Sequence, residues 1–64
     1  MRFEEINPIA KIDRGSTVLT VEDKGHYFVL RRWSVNRWGN KEAQPSFSIF
    51  RNELKEFLAI LIDN

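Results

Sequence analysis

The sequence predicts an α+β protein with the element order β-β-β-β-α. Turn residues divide most of the chain into short stretches that alternate or are rich in β-branched residues, and the last stretch repeats apolar residues at helical spacing. The chain has 64 residues, which suffices for one domain, and it has no cysteine for disulfides or thiolate metal sites. Because so small a core is marginal, we expect a single domain, residues 1–64, that is reinforced by oligomerisation.

The turn signals set the limits of the strands. Gly15 marks the first turn, and Gly25 supplies the positive φ of a tight hairpin. A polar loop is predicted over residues 36–45. The predicted strands cover residues 9–12, 17–22, 27–35 and 46–49.

The third predicted strand is the most strongly signalled, and its two faces differ. Successive side chains of a strand point to opposite faces of a sheet. We assign Phe28 and Leu30 to the core, which places Arg31 and Trp33 together on the open face. A guanidinium and an indole two residues apart could bind one nucleotide there.

The C-terminal stretch, residues 51–63, is predicted to be a helix. Leu54, Phe57, Leu58 and Leu61 have the spacing of a stripe that faces the core. Two flanking isoleucines widen the apolar arc to roughly 200°, about twice the usual width, which favours burial against a second copy. The alternative is a monomer whose curved sheet wraps around the helix. The side chains expected at the dimer interface are Leu54, Phe57, Leu58, Ile60, Leu61 and Ile62.

Charge is unevenly distributed along the chain. Residues 24–41 contain five basic side chains, no carboxylate and both tryptophans, whereas carboxylates are in excess on either side. Cations neutralise phosphates, and exposed bases stack on aromatic rings, so this combination favours a single-stranded nucleic acid. The alternative is that the tryptophans are core residues and the arginines a solvated face.

Other classes of function find little support in the sequence. His26 is the single histidine and belongs to a hairpin, so neither a multi-histidine metal site nor a Ser-His-Asp triad is expected, and we expect no catalysis. Glu4 and Glu5 are expected on a mobile terminus. The longest apolar run, residues 57–62, is far shorter than a membrane span, and residues 1–8 lack the pattern of a secretory signal. We therefore expect an intracellular protein without cofactor or metal.

Several short motifs together resemble the positive-cofactor-four family of transcriptional coactivators, which bind single-stranded DNA. The resemblance lies in their order and spacing, over about residues 9–62. The motifs are Ile9-Ala10-Lys11, Leu19-Thr20-Val21, Asp23-Lys24-Gly25, Leu30-Arg31-Arg32-Trp33 with Ser34, Phe47-Ser48-Ile49, and the spaced residues Leu54, Phe57 and Leu61.

The resemblance implies a homodimer of curved four-stranded antiparallel sheets, with helices at the dimer interface and single strands bound along the concave faces. The contacts it implies are Lys11, Lys24, Arg31, Trp33 and, as a weaker match, Lys41. Arg37 and Trp38 are added as candidates because Glu42 and two uncharged residues follow Lys41, where the family is richer in basic residues. Asn52 is the candidate helix cap.

Two functional hypotheses follow. The first is a homodimeric module that binds single-stranded DNA with little sequence preference in transcription, replication or repair. RNA remains open because stacking and phosphate contacts do not distinguish the sugar. The second is a small protein-interaction or inhibitory factor that binds a polymerase or another enzyme through its tryptophans.

Overall fold

The computed structural model describes residues 2–63 and has an α+β architecture, an antiparallel sheet followed by one C-terminal helix. A single 3₁₀ turn, Phe3–Glu5, precedes the sheet, although this terminus was expected to be mobile. The regular elements are β1 (Ala10–Asp13), β2 (Thr17–Asp23), β3 (Tyr27–Val35), β4 (Lys41–Ala43), β5 (Phe47–Phe50) and α1 (Arg51–Asp63). Within residues 2–63, no helix combines the length and the apolar character needed to cross a membrane.

Strands β1, β2 and β3 form an antiparallel meander, as predicted. The hairpin between β2 and β3 is closed by the Lys24 amide, which donates to the Tyr27 carbonyl at 2.9 Å. Gly25 has φ +97°, the left-handed conformation expected from its position. The Asp23 carboxylate accepts a hydrogen bond from the Gly25 amide at 2.8 Å, which stabilises the turn.

The fourth predicted strand, residues 46–49, is β5, and a further strand, β4, forms within the predicted loop. Both β4 and β5 pair with β3, β4 along its end and β5 along its beginning, so the prediction of a loop over residues 36–45 is wrong. The Gln44 amide extends the first ladder by donating to the Arg32 carbonyl at 2.9 Å. Pro45 then interrupts the pairing because proline has no amide hydrogen to donate. The register of β5 is shifted by one residue relative to that of β4.

The register separates the sheet into two faces. Directly paired residues share a face, so the pairs Thr20–Arg31 and Val18–Trp33 lie on the same side of the sheet. We call this side the cationic face. It carries Lys11, Val18, Thr20, Glu22, Arg31, Trp33 and Lys41. The opposite face carries Ile12, Leu19, Val21, Phe28, Leu30, Arg32, Phe47 and Ile49.

Most of the buried side chains lie on the cationic face. Val18 and Trp33 are fully buried there, together with Thr20. On the opposite face Phe28 is buried as predicted, whereas Leu30, also assigned to the core, is only half-buried. The small core therefore occupies mainly the side of the sheet that the sequence predicts to be open.

Helix α1 begins as predicted, but with a different cap. Its N-cap position is Phe50, whose amide donates to Glu53 Oε1 at 3.0 Å. This contact is half of a capping box, in which the third helical residue reaches back to the residue before the helix. The prediction of Asn52 as the cap is wrong, because Asn52 lies inside the first turn.

Helix α1 is attached to the sheet mainly through its first residue. The Arg51 guanidinium donates to both carboxylate oxygens of Asp23 at 2.8 Å and lies 4.5 Å from the centre of the buried Phe28 ring. Beyond this junction, none of the described helix residues is buried. The prediction that the apolar stripe faces the sheet of its own chain is wrong, because α1 continues directly from β5 and makes its main contacts with that strand.

Candidate nucleic-acid interface

Basic side chains from four parts of the chain converge on the cationic face. Lys11 pairs with Thr20, and Thr20 pairs with Arg31, so these residues form a row across β1, β2 and β3. Lys41 of β4 pairs with Val35, which is on the same face by alternation. Lys24, in the hairpin, reaches the same side, since its Nζ lies 3.9 Å from Glu22 Oε1.

Trp33 stands at the centre of this face and is fully buried, with 0% of its surface exposed. Its indole Nε1 donates to Thr20 Oγ1 at 3.0 Å, and the Arg31 guanidinium lies 5.6 Å from its ring centre. The prediction that Arg31 and Trp33 share a face is confirmed. The prediction that this face is open at Trp33 is wrong.

The segment before β1 covers Trp33. The Phe3 ring stands edge-on to the indole, with the two ring centres 5.1 Å apart and an angle of 89° between their planes. Two ammonium groups lie against the same phenyl ring, Lys41 Nζ at 4.9 Å and Lys11 Nζ at 5.6 Å from its centre. Phe3 is therefore in contact with three of the predicted site residues. No pattern in the sequence predicts this contact, because a lone phenylalanine near a terminus belongs to no periodic repeat.

A buried carboxylate supports the arginine of the site. Glu22 Oε2 lies 3.6 Å from Arg31 Nη1, and the two side chains are only 8% and 11% exposed. Glu22 Oε2 is buried and has no hydrogen-bond partner among residues 2–63. A buried charge is costly unless it is paired, so the pair holds Arg31 against the sheet beside Trp33. Alternation along β2 places Glu22 on the same face as Thr20, a signal from which the contact could have been predicted.

Arg37 and Trp38 lie apart from this cluster, in the turn that links β3 and β4. Trp38 is 72% exposed, with the Arg37 guanidinium 4.7 Å from its ring centre. The Asn36 side chain orders the turn, because its Oδ1 accepts hydrogen bonds from the Trp38 and Asn40 amides, both at 3.0 Å. Trp38 is therefore an exposed aromatic side chain on an ordered support.

The residues predicted at a dimer interface form a continuous apolar surface in the described helix. Leu54 is half-buried, and the other five are exposed, up to 79% for Ile62. A shallow groove on the opposite face of the sheet is also largely apolar, lined by Ile12, Leu19, Val21, Leu30 and Pro45 among others. Exposed apolar surface of this extent usually marks an interaction site.

The side chains gathered on this face offer ammonium and guanidinium groups and aromatic rings. In the part of the chain that the structure describes, no three His, Cys, Asp or Glu side chains are grouped as metal ligands. A scan against models of protein families, a search of curated proteins and a search of solved structures each found no match to this chain.

Proposed function

We propose that this protein binds single-stranded nucleic acid, DNA in the first place, on the cationic face of its sheet, and that it does so as a homodimer without catalysis. The proposal rests on one observation: the side chains of Lys11, Arg31 and Lys41, which are distant in sequence, lie around Trp33 on one face. The resemblance of the sequence motifs to the positive-cofactor-four family points to the same residues.

The charges on this face suit a phosphate backbone. Lys11 and Lys24 are exposed and Lys41 is half-exposed, so three ammonium groups are within reach of a ligand. Arg31 lies beside the indole on the same face, but it is paired with Glu22 and its side chain is only 11% exposed, so the three lysines supply the accessible charge. A flexible chain of phosphates can follow such a row of cations without any fixed base sequence.

The aromatic side chains would supply the stacking. Trp38 is exposed, as a base-stacking residue requires, and the Arg37 guanidinium against its ring places a cation next to the stacking position. Trp33 takes part only when Phe3 is displaced, because Phe3 covers it in the free protein. Low sequence preference follows, since every base has a π-face.

Dimerisation would bury the apolar surface of α1. Phe57, Leu61 and Ile62 are all more than half exposed in the single chain, and the core of the chain is small. A two-fold interface lets the apolar patch of one chain cover the same patch of the other. This buries the exposed side chains of α1 and adds to the small core of each chain. The expected assembly places two helices together and leaves each cationic face accessible.

Binding is tested by the fluorescence anisotropy of labelled oligothymidine titrated with the protein at two salt concentrations. Neutralising three or four phosphates gives a slope of log affinity against log salt of about −2 to −3, at ~0.7 per phosphate of a single strand. Absence of binding at low salt would contradict the proposal. Competition with oligouridine and with duplex DNA then ranks DNA, RNA and paired strands.

Lys11 and Arg32 offer a matched pair of variants. Lys11→Gln removes a charge from the cationic face and is expected to weaken binding and to lower the salt slope by about one phosphate. Arg32→Gln removes the same charge from the opposite face, since Arg32 pairs with Leu19 there. Equal losses from both variants would mean attraction by overall charge and no defined face.

The assembly is tested by light scattering. The expected mass is about twice the 7.6 kDa of the single chain. Leu61→Glu places a charge within the apolar surface of α1 and is expected to yield monomers, whereas Lys55→Gln on the same helix leaves the dimer intact. A wild-type monomer at micromolar concentration would rule out the homodimer.

A second function, a protein-interaction factor, is favoured by the exposure of Trp38 on its ordered turn. An anchored indole is a typical centre of a protein interface. In that case the Trp38→Ala variant loses the partner, oligothymidine does not bind, and partner affinity depends only weakly on salt.

A further inference from the structure

The N-terminal segment, residues 2–8, crosses the face to which nucleic acid binding is assigned. Phe3 lies edge-on to Trp33 and under the ammonium groups of Lys11 and Lys41, as described above. Arg2, Phe3 and Glu4 line one side of a cleft whose other side is formed by residues 40–43. The segment thus occupies the centre of the cationic face while the lysines remain at its margins.

The contacts of Phe3 are those that a nucleobase would make. A base in this position would present a flat π-system to the indole and to two cations, as the phenyl ring does. Glu4 and Glu5 follow directly and are exposed, and with Arg2 on the other side of Phe3 the segment has one positive and two negative charges, a net charge of −1. An aromatic ring next to two anionic groups reproduces, within the chain, the chemistry of a short piece of single strand.

The attachment of this segment is slight. Its turn, Phe3–Glu5, has two backbone hydrogen bonds of 3.2 Å, from the Glu5 amide to the Arg2 carbonyl and from the Ile6 amide to the Phe3 carbonyl. No side chain caps the turn. Firm pairing with the sheet starts at Ile9, whose amide donates to the Val21 carbonyl at 2.9 Å. One ring pair and two cation–ring contacts are individually weak, so the segment before Ile9 can leave without disturbing the strands.

We propose that residues 2–8 form a displaceable cover that inhibits the site, with Phe3 holding the place of a stacked base on Trp33. A single strand binds by displacing this cover, which exposes the indole and frees Lys11 and Lys41 for phosphates. The inference rests on the proposed function, because it names the regulation of the same site. The apparent affinity for single strands is then the affinity of the open form multiplied by the fraction of molecules in which the cover is open.

The test uses Phe3→Ala and Phe3→Leu in a Trp38→Phe background, so that Trp33 is the sole tryptophan and its fluorescence can be excited selectively. Phe3→Leu keeps an apolar side chain over the core and removes only the ring, which guards against loss of folding. Phe47→Ala is the control, since Phe47 is 63% exposed on the opposite face. Acrylamide quenching of Trp33 is measured without ligand, and oligothymidine affinity is measured by anisotropy.

Phe3→Ala is expected to increase acrylamide quenching of Trp33 and to bind oligothymidine more tightly, by roughly tenfold if the cover is closed nine-tenths of the time. Phe3→Leu keeps an apolar side chain over the indole and is expected to change both measurements in the same direction by less. The Phe47→Ala variant is expected to match the background protein in both measurements. If the background protein binds oligothymidine and the Phe3 variants bind no more tightly, the inhibitory cover is wrong and the proposed function stands.

If neither the wild-type protein nor any variant binds oligothymidine, the proposed function fails, and the inhibitory role fails with it. The quenching data then separately decide the geometry of the free protein. Increased quenching in both Phe3 variants would support the conclusion that the segment covers Trp33 in the free protein. Unchanged quenching would contradict that conclusion as well.

Discussion

The two tryptophans lie five positions apart, each with an arginine against its ring, and yet they belong to different kinds of environment. Trp33 is fully buried at the centre of the cationic face, hydrogen-bonded to Thr20 and covered by Phe3. Trp38 is 72% exposed on a turn, next to Arg37. The same pairing of indole and guanidinium therefore supports the core in one place and is available to a ligand in the other.

Removal of each indole in turn should give the largest difference in unfolding free energy between the two tryptophan sites. Trp33→Ala is expected to cost about 3–5 kcal/mol of unfolding free energy, because it empties a closely packed site. A chain of 64 residues has a total stability of only about 3–10 kcal/mol, so this variant is expected to be largely unfolded. Trp38→Ala is expected to change stability by about 0.5 kcal/mol or less.

Urea denaturation at one fixed protein concentration measures both variants. Comparable losses from the two substitutions would contradict the contrast between a core indole and an exposed one. For binding studies, Trp33→Phe is the appropriate substitution, since the alanine variant confounds folding with affinity.

Loss of the hydrogen bond from Trp33 to Thr20 is expected to have the next largest effect on stability. Thr20→Val removes the acceptor and leaves a buried indole N–H unpaired, which is expected to cost about 1–3 kcal/mol. Thr20→Ser keeps the hydroxyl and should lose about 1 kcal/mol or less, for one methyl group. Hydrogen exchange of the two indole N–H protons reports this hydrogen bond directly. In wild type the Trp33 proton should exchange slowly and the Trp38 proton rapidly. Thr20→Val should accelerate the exchange of the Trp33 proton only. Equal stabilities of the Val and Ser variants would exclude the hydrogen bond as the cause.

The turn at Trp38 is closed by two backbone hydrogen bonds, from the Asn36 amide to the Asn40 carbonyl and from the Gly39 amide to the Asn36 carbonyl, and by the Asn36 side chain. Asn36→Ala removes the acceptor for the Trp38 and Asn40 amides and is expected to cost about 0.5–1.5 kcal/mol. In a Trp33→Phe background, the fluorescence anisotropy of Trp38 should fall because the indole reorients more freely. Asn36→Asp keeps the acceptor and should retain most of the anisotropy, although it loses the donation to Glu42. Unchanged anisotropy in the alanine variant would show that the turn is ordered without Asn36.

The sequence predicted the parts of the fold that follow from local patterns. Alternation placed Arg31 and Trp33 on one face, Gly25 marked the hairpin, and the helix begins at the predicted Arg51. These features are set by neighbours in sequence, through the period of two in a strand and through turn chemistry. Lysines from separate strands then meet because antiparallel pairing fixes which residues lie opposite each other.

Contacts could not be predicted from the sequence where the segment that makes them has no periodic pattern of apolar residues. Alternation assigns a residue to a face but does not reveal what covers that face, so the cover of Trp33 by Phe3 was missed. In the same way, helical spacing identified the apolar stripe of α1 without showing that its own sheet leaves it exposed. The attachment of α1 through Arg51 and Asp23 joins residues far apart in sequence and depends on where the helix leaves the sheet.

Arg51 makes a third contact between an arginine and an aromatic ring, with features of both tryptophan sites, and its loss is expected to have the smallest effect. The ring, Phe28, is buried like Trp33, while the guanidinium is accessible and bound to the exposed Asp23.

The hydrogen bond from the Gly25 amide and, to a smaller extent, that from the Arg51 side chain lower the pKa of Asp23 below its ordinary value of 3.8. A carboxyl with a lowered pKa stabilises the folded protein above the pKa of the unfolded chain, and this contribution is lost as the pH falls through the folded value. A modest loss of stability is therefore expected below about pH 4, because an exposed pair is screened by solvent. Thermal unfolding followed by far-UV circular dichroism should show this acid-dependent loss in wild type and a smaller one in Asp23→Asn, which keeps the acceptor for Gly25 but not the charge. Coincident acid profiles would mean that the Asp23 charge does not contribute to the stability of the folded protein.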